Sequence, residues 1–370
     1  MKKKVLILIY SLRRGGMEMA AIQFQTNMDP EKYEFIYYLQ NADNNEKVLE
    51  DLVLSTGATF IEKPKEINSK YKEYKYLKKI ISEMKIDIVH DHMNFHGGLS
   101  ARAGYKAGAS KRITHSHLTK DIQKIGITGK LYRVPMRDWI KRFGTDLLSC
   151  GIPSEKFLYG KNPGPKARVV NNGINTEKYA FNEEKRSAKR AELGIEDKFA
   201  IGHVGLIYWV KNQTFLIKVL NEMLKTYPNA VLLLVGELRD GGVTEELVKE
   251  LGLQDKVKFL GTRSDVPELL MAIDILMFPS VFEGSPIVPV EAQATGLPVI
   301  ISENVTRTIG LNENVEYLPI DETKENLKLW CNTAIELANG DRLLQDLTKL
   351  KHNYDIKNIA KQLEDIYLTF

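Results

Sequence analysis

The sequence predicts an α/β protein of two Rossmann-like, doubly wound parallel-sheet domains facing an interdomain cleft, and three observations carry this. Short apolar runs alternate with longer amphipathic segments, as when buried parallel strands are joined by covering helices. The alternation stops near the middle of the chain and then starts again. The length, 370 residues, exceeds the roughly 100–200 residues that one hydrophobic core usually organises.

Taken in order, the runs expected as strands in the first half are residues 4–10, 35–39, 59–61, 86–90, 112–115, 146–149 and 168–171. Those in the second half are 199–205, 230–235, 257–260, 274–278 and 298–301, each followed by turn or helix signals. Residues 175–197 are polar and charge-rich and read as a linker region. Residues 354–370 space Ile356, Ile359, Ala360, Leu363, Ile366 and Tyr367 along one helical stripe, which predicts a docked terminal helix. The expected division is therefore 1–180, 181–351, and a helix over 352–370 that packs back on the first domain. Doubly wound sheets bind ligands at their strand carboxyl ends, so the active site is expected in the crevice that the two domains share.

Composition narrows the function classes. With 43% hydrophobic and 27% charged residues the chain reads as globular rather than disordered or fibrous. Two cysteines, Cys150 and Cys331, cannot form a disulfide framework and suit a reducing compartment, so the cytoplasm is expected. The basic start followed by residues 5–10 imitates a signal peptide, but the apolar run is short and Arg13-Arg14 follows at once. No stretch approaches the ~20 apolar residues of a membrane span. A net charge of +4, from 52 basic and 48 acidic residues, gives no ground for nucleic-acid binding. Two basic segments with interleaved aromatics, residues 63–79 and 120–143, suit either a solvated helix face or contact with an anionic membrane surface.

The chemistry concentrates in residues 282–292, FEGSPIVPVEA, directly after the run ending at Phe278-Pro279. Ser285 suits a helix N-cap, Pro286 the first helical position, and Gly284 allows close approach of a ligand to the backbone. A helix N-terminus there would present free amides to a phosphate. Glu283 and Glu291, eight positions apart, would stand ~12 Å or more from each other along that helix. That separation suits the two hydroxyl-bearing ends of a sugar nucleotide.

This Glu-x7-Glu pattern, followed by Gly296-Leu297-Pro298-Val299-Ile300, resembles glycosyltransferase family four, a retaining family of GT-B fold. The resemblance covers nearly the whole chain. It includes Gly15-Gly16-Met17-Glu18, Asn172-Gly173-Ile174, Gly202-His203-Val204-Gly205 with Lys211-Asn212, Val235-Gly236-Glu237, and the segment from Phe259 through Arg263 to Val266. Within the family, the likeness is to enzymes of bacterial exopolysaccharide and capsule assembly. It implies that Glu291 binds the donor ribose and that Glu283, with backbone groups of Gly284, Ser285, Pro286 and Ile287, holds the transferred sugar and its phosphate. It further implies that Lys211 neutralises the diphosphate and that the turn at Gly16 faces the acceptor and the donor phosphates. The implied donor is a nucleotide sugar, UDP-linked, and the implied acceptor a glycan or lipid-linked glycan. The anomeric configuration would be retained with no cofactor and no required metal.

Two features complicate that picture. The family places an arginine after the glycine matching Gly205, where this chain has Leu206; Arg263, Arg13 and Arg14 are the candidates to replace that phosphate contact. The histidines form two His-x-His pairs, His90 with His92 and His115 with His117, each at the end of an expected strand. Such pairs can ligate metal, but only Asp91 and Asp121 lie near in sequence, so no metal site is expected. By resemblance, His115 contacts the transferred sugar, with His117 the alternative. Two competing readings share this architecture: a nucleotide-sugar epimerase, and a partner subunit made inactive by Leu206.

Overall fold

The computed structural model describes residues 2–13, 15–121 and 126–369. Its elements run β1 (Lys3–Ile9), α1 (Gly16–Thr26), β2 (Tyr33–Leu39), α2 (Lys47–Ser55), β3 (Thr59–Glu62), α3 (Lys70–Glu83), β4 (Ile88–Asp91), α4 (Gly97–Ala107), β5 (Lys111–Ser116), α5 (Ile127–Phe143), β6 (Asp146–Ser149), α6 (Ile152–Tyr159) and β7 (Ala167–Val169). They continue with α7 (Glu183–Leu193), β8 (Phe199–Val204), α8 (Gln213–Met223), β9 (Ala230–Val235), α9 (Val243–Glu250), β10 (Val257–Gly261), α10 (Val266–Ala272), β11 (Ile275–Phe278), α11 (Val288–Ala294), β12 (Val299–Ser302), β13 (Val315–Leu318), α12 (Lys324–Ala338), α13 (Thr348–Tyr354) and α14 (Ile356–Leu368). The chain divides into two compact units, Met1–Gly173 with Ile356–Phe370, and Ile174–Asp355.

The first unit holds a seven-stranded parallel sheet in the order β3-β2-β1-β4-β5-β6-β7. Its central strands are apolar because helices cover both faces; Val5 through Ile9 lose nearly all their exposure. On one face Val5, Ile7 and Ile9 pack with Phe24 of α1 and with Ile356, Ile359, Leu363, Ile366 and Tyr367 of α14. On the other face Leu6, Leu8 and Val89 meet α3, α4 and α5.

The second unit holds a six-stranded parallel sheet in the order β10-β9-β8-β11-β12-β13. Every expected strand is present, and β13 is an addition. It lies at the sheet edge, where Glu316 stays exposed and only Leu318 is buried, so it lacks a continuous apolar run. The stretch read as a linker contains α7. Asn182 caps it by accepting from the Lys185 amide, 2.8 Å away. Its polar composition serves a different purpose: Arg186 donates to Met271 O at 2.7 Å and to Asp274 Oδ1 at 2.6 Å, and Arg190 donates to Ala272 O at 2.7 Å. These charge-assisted bonds dock the helix where an apolar stripe normally would.

At the carboxyl ends of β8 and β9, Gly236 adopts φ +142°. A Cβ there would lie 2.0 Å from Gly205 O. Gly236→Ala is therefore expected to cost more than Gly252→Ala, where φ is +67° but the space is open. The Gly252 variant should lose about 1–2 kcal/mol of unfolding free energy, from left-handed backbone alone. The Gly236 variant should lose at least ~2 kcal/mol beyond that, because backbone must move. Urea unfolding of the two variants checks this.

Candidate active site

In the second sheet the winding reverses between β8 and β11, the place where a doubly wound sheet opens for ligands at its carboxyl edge. The loops leaving these two strands carry the principal donor-site candidates. Lys211 follows β8, and the left-handed Asn212, φ +56°, then turns the chain into α8. Glu283 lies in the loop after β11. Lys211 Nζ lies 2.6 Å from Glu283 Oε1, both side chains half-buried, and 5.0 Å from the centre of the Phe278 ring. The structure thus joins two residues that the sequence assigned separately, one to phosphate and one to sugar.

His203, near the end of β8, is a functional candidate that sequence reasoning missed. Its Nδ1 lies 3.0 Å from Met277 O, and its buried Nε2 has no partner among the described residues. Burial pulls its pKa down to about 4, so the ring is neutral near pH 7. A Cβ on Gly205 would stand 3.5 Å from Lys211 Cε and 3.7 Å from His203 Nε2, so ammonium, imidazole and glycine backbone converge. The available signal was a lone imidazole in the apolar run FAIGHV.

The helix expected to open at Ser285-Pro286 begins later. It is α11, with Ile287 at the N-cap and no side-chain cap. Pro289 explains the shift: a helix capped at Ser285 would put Pro289 at its fourth position, where an amide must donate, whereas in α11 it falls in the donor-free first turn. Gly284, Ser285 and Pro286 therefore form irregular backbone between Glu283 and the helix. Helical rise does not set the Glu283–Glu291 separation.

Glu291 sits in the first turn of α11 and accepts from Tyr179 Oη at 2.5 Å. Burial raises the Glu291 carboxyl and also raises the Tyr179 phenol. Tyr179 belongs to the second unit because the chain is anchored there from Ile174, whose amide donates to Tyr354 O at 2.7 Å.

Of the arginines nominated to replace the missing phosphate contact, Arg263 and Arg13 pair with acidic side chains. Arg263 forks onto Asp265 at 2.8 and 2.6 Å and reaches Glu192 at 3.0 Å, and Lys189 joins the same Asp265 at 2.7 Å. The Arg263 guanidinium is thus held in a structural ion network, not beside Lys211. Arg13, in the first unit, lies 3.8 Å from Glu18. Arg14 lies outside the described residues. Leu206 is 44% exposed, and its carbonyl accepts from Gln213 Nε2 at 2.8 Å.

In the first sheet the winding reverses between β1 and β4. Gly15 caps α1 in this gap, with a hypothetical Cβ only 2.2 Å from Glu18 Oε2, while the space beside Gly16 is open. Across the gap, β4 and β5 pair with His90 opposite Ile113. Alternation then puts His90, His92, His115 and His117 on one face. His115 has no exposed surface; its ring stacks 5.8 Å from Phe24 and 5.5 Å from His90. Both of its nitrogens lack partners among the described residues, an arrangement that costs about 1–3 kcal/mol per buried group. The sugar-contacting role expected of His115 thus meets a closed site; His117 is only partly buried as a residue, but its Nδ1 is buried and has no partner among the described residues. His92 Nδ1 lies 2.9 Å from His117 Nε2, and burial draws the His117 pKa down to about 3. Beneath the loop after β4, His96 lies 2.6 Å from Asp91 and 3.1 Å from Glu73. Burial opposes its charge, but the two carboxylates outweigh this and raise its pKa to about 9.

Two family models match the chain, one described as Glycosyltransferase Family 4 over residues 14–178 and one as Glycosyl transferases group 1 over 185–315. Among relatives, EpsF of Bacillus subtilis is 28% identical over 99% of this chain and 96% of its own length. The UDP-Gal:alpha-D-GlcNAc-diphosphoundecaprenol alpha-1,3-galactosyltransferase of Escherichia coli is 26% identical over 79% of this chain and 78% of its own. The crystal structure of Anabaena HepE in complex with UDP superposes with a TM-score of 0.81 at 21% identity, covering 98% and 99% of the two chains. Two doubly wound units of this kind define a GT-B glycosyltransferase architecture. The chain belongs to glycosyltransferase family four.

The raised Glu291 carboxyl, half-buried beside Tyr179, makes a stability prediction. An acid whose folded pKa is raised binds its proton more tightly in the native state, so native stability falls as pH rises above the ordinary carboxylate range. Glu291→Gln keeps an acceptor for Tyr179 and removes the charge. Its urea midpoint should match wild type near pH 4, exceed it as pH rises above the ordinary carboxylate range, and then hold that advantage toward pH 8.

Proposed function

We propose that this glycosyltransferase moves a sugar from a UDP-sugar to a hydroxyl of a lipid-linked glycan, with retention, in cell-surface polysaccharide assembly. The observation that carries this reading is the Lys211–Glu283 pair at the winding reversal of the second sheet, beside the backbone approach of Gly205 and Gly236. Its position suits a diphosphate reaching an ammonium and a sugar reaching a carboxylate on adjoining loops. Glu291 is assigned to the ribose hydroxyls, and the backbone of Gly284, Ser285, Pro286 and Ile287 to the phosphates and sugar. The UDP bound by HepE and the donor and acceptor of the Escherichia coli enzyme support these choices.

In the proposed reaction the bond from the anomeric carbon to the β-phosphate oxygen breaks while the acceptor hydroxyl attacks from the same face. The acceptor proton passes to the departing phosphate oxygen. Lys211 stabilises the charge that gathers on that phosphate, so no divalent ion is assigned to it. His117, in the first unit, is assigned to the transferred sugar, with the turn at Gly16 on the acceptor side. Calorimetry with UDP is expected to show at least roughly ten-fold weaker binding for Glu291→Gln, the cost of one charged hydrogen bond. His117→Ala should keep the UDP affinity and lower the transfer rate. Unchanged binding and transfer in both variants would reject the assignment.

A membrane-bound acceptor places the protein on the cytoplasmic membrane face. No helix among the described residues is long and apolar enough to cross a membrane. On α5, Ile127, Leu131 and Val134 are 78, 67 and 70% exposed at helical spacing, next to Lys130. That stripe suits shallow insertion among anionic headgroups. The double variant Leu131→Asp, Val134→Asp is expected to lose most co-sedimentation with phosphatidylglycerol vesicles, and retention of binding would remove the assignment of α5.

A further inference from the structure

We infer that the first unit contains a buried metal site in which His90, His92 and His115 hold one borderline divalent cation of the zinc class. One ligand nitrogen from each of the three lies within 4.8 Å of the others, and all three side chains are buried. The pairing of β4 with β5 creates the cluster, because His90 opposes Ile113 and alternate residues share a face. Earlier on that face the two strands carry Ile88 and Ile113, both in the apolar cluster formed with α1 and α14. Packing against these helices therefore does not itself require imidazoles.

The pattern of used and unused nitrogens points to a cation. His90 Nδ1 lies 2.8 Å from Tyr367 Oη, while its buried Nε2 has no partner among the described residues. His92 Nδ1 lies 2.9 Å from His117 Nε2. A metal-binding imidazole characteristically uses its second nitrogen in such a hydrogen bond, which fixes the tautomer and aims the other lone pair. His115 turns its ring into the same cluster with both nitrogens unpaired. Ring-to-ring separations of 4.2 Å for His90 with His92 and 5.2 Å for His92 with His115 bring the imidazoles together, and because His90 and His115 stack within 4° of parallel, side-chain rotation must turn their lone pairs inward to reach metal–nitrogen bonds of about 2.0–2.1 Å.

The donor set selects the ion. Three imidazoles with no carboxylate among them do not suit magnesium or calcium, which take oxygen ligands. No thiolate joins them; Cys150 Sγ instead lies 3.3 Å from Ser154 Oγ. Zinc, cobalt, nickel and copper remain, and the sequence expectation of no metal is revised accordingly. None of the three ligands is itself assigned to UDP, although His92 is bonded to His117, the residue assigned above to the transferred sugar.

The test uses the full, untagged chain, stripped with chelator, desalted and titrated with zinc chloride. Wild type should take up one equivalent with micromolar or tighter affinity and show a higher unfolding temperature. His115→Phe, which preserves the stack against Phe24, should lose both effects, as should His92→Phe. Cobalt(II) provides a readout that needs no variant: wild type should give the intense visible bands of a low-coordinate nitrogen site. Failure to bind an equivalent of zinc, binding unchanged in folded His115→Phe, or weak octahedral cobalt bands would each overturn the site. Loss of UDP binding in other experiments would leave these outcomes untouched.

Discussion

Parallel strand pairing is the constraint on which both units rest. When all strands of a sheet run one way, each connection must cross a face as a helix, and all carboxyl ends gather on one edge. Where the winding reverses, two neighbouring strands send their chains to opposite faces and leave a gap over the sheet. In the second unit the gap lies between β8 and β11, with Gly205 and Lys211 on one side and Glu283 on the other. In the first it lies between β1 and β4, with Gly15 and Gly16 facing the strand that leads to His92. Polar side chains collect toward these gaps: His90 and Asp91 of β4, His115 and Ser116 of β5 and His203 of β8 all lie in the carboxyl halves of their strands.

The same constraint decides which parts of the fold were legible in the sequence. Central strands such as Leu6–Ile9 and Ala230–Val235 are buried on both faces and so appear as unbroken apolar runs. β13 is an edge strand with Glu316 in solvent, and its pattern resembles a loop. α14 was legible because its contact is an apolar stripe. α7 was not, because Arg186 and Arg190 dock it through carbonyls 85 and 82 residues away, at Met271 and Ala272. Composition records the arginines but not what they bind.

Site residues follow a similar rule. Motif spacing nominated Lys211 and Glu283, but their contact spans 72 positions and depends on strand order, which no local pattern encodes. The onset of α11 was misplaced because Ser285-Pro286 fits a helix start locally, while the veto comes from the amide that Pro289 lacks. The resemblance preferred His115 over His117, but strand alternation assigns both one face and so could not test that order. They stand two residues of strand apart, about 7 Å, which leaves His115 fully buried and His117 partly so.

Leu206 changes the electrostatic problem of the donor site without removing its solution. With Arg263 held by Asp265 and Glu192, the cation that the structure sets at the winding reversal is Lys211, and it is already paired with Glu283. A half-buried pair of this kind keeps the ammonium aimed before any ligand arrives and avoids an unpaired charge in the empty state. On the functional reading proposed above, the diphosphate would draw the ammonium from Glu283 and release that carboxylate to sugar hydroxyls. Phosphate and sugar would then be recognised together, since either half alone leaves one member of the pair without a partner. An additional arginine would strengthen the grip on phosphate but weaken that coupling, because a second cation could hold the diphosphate with Lys211 still on Glu283.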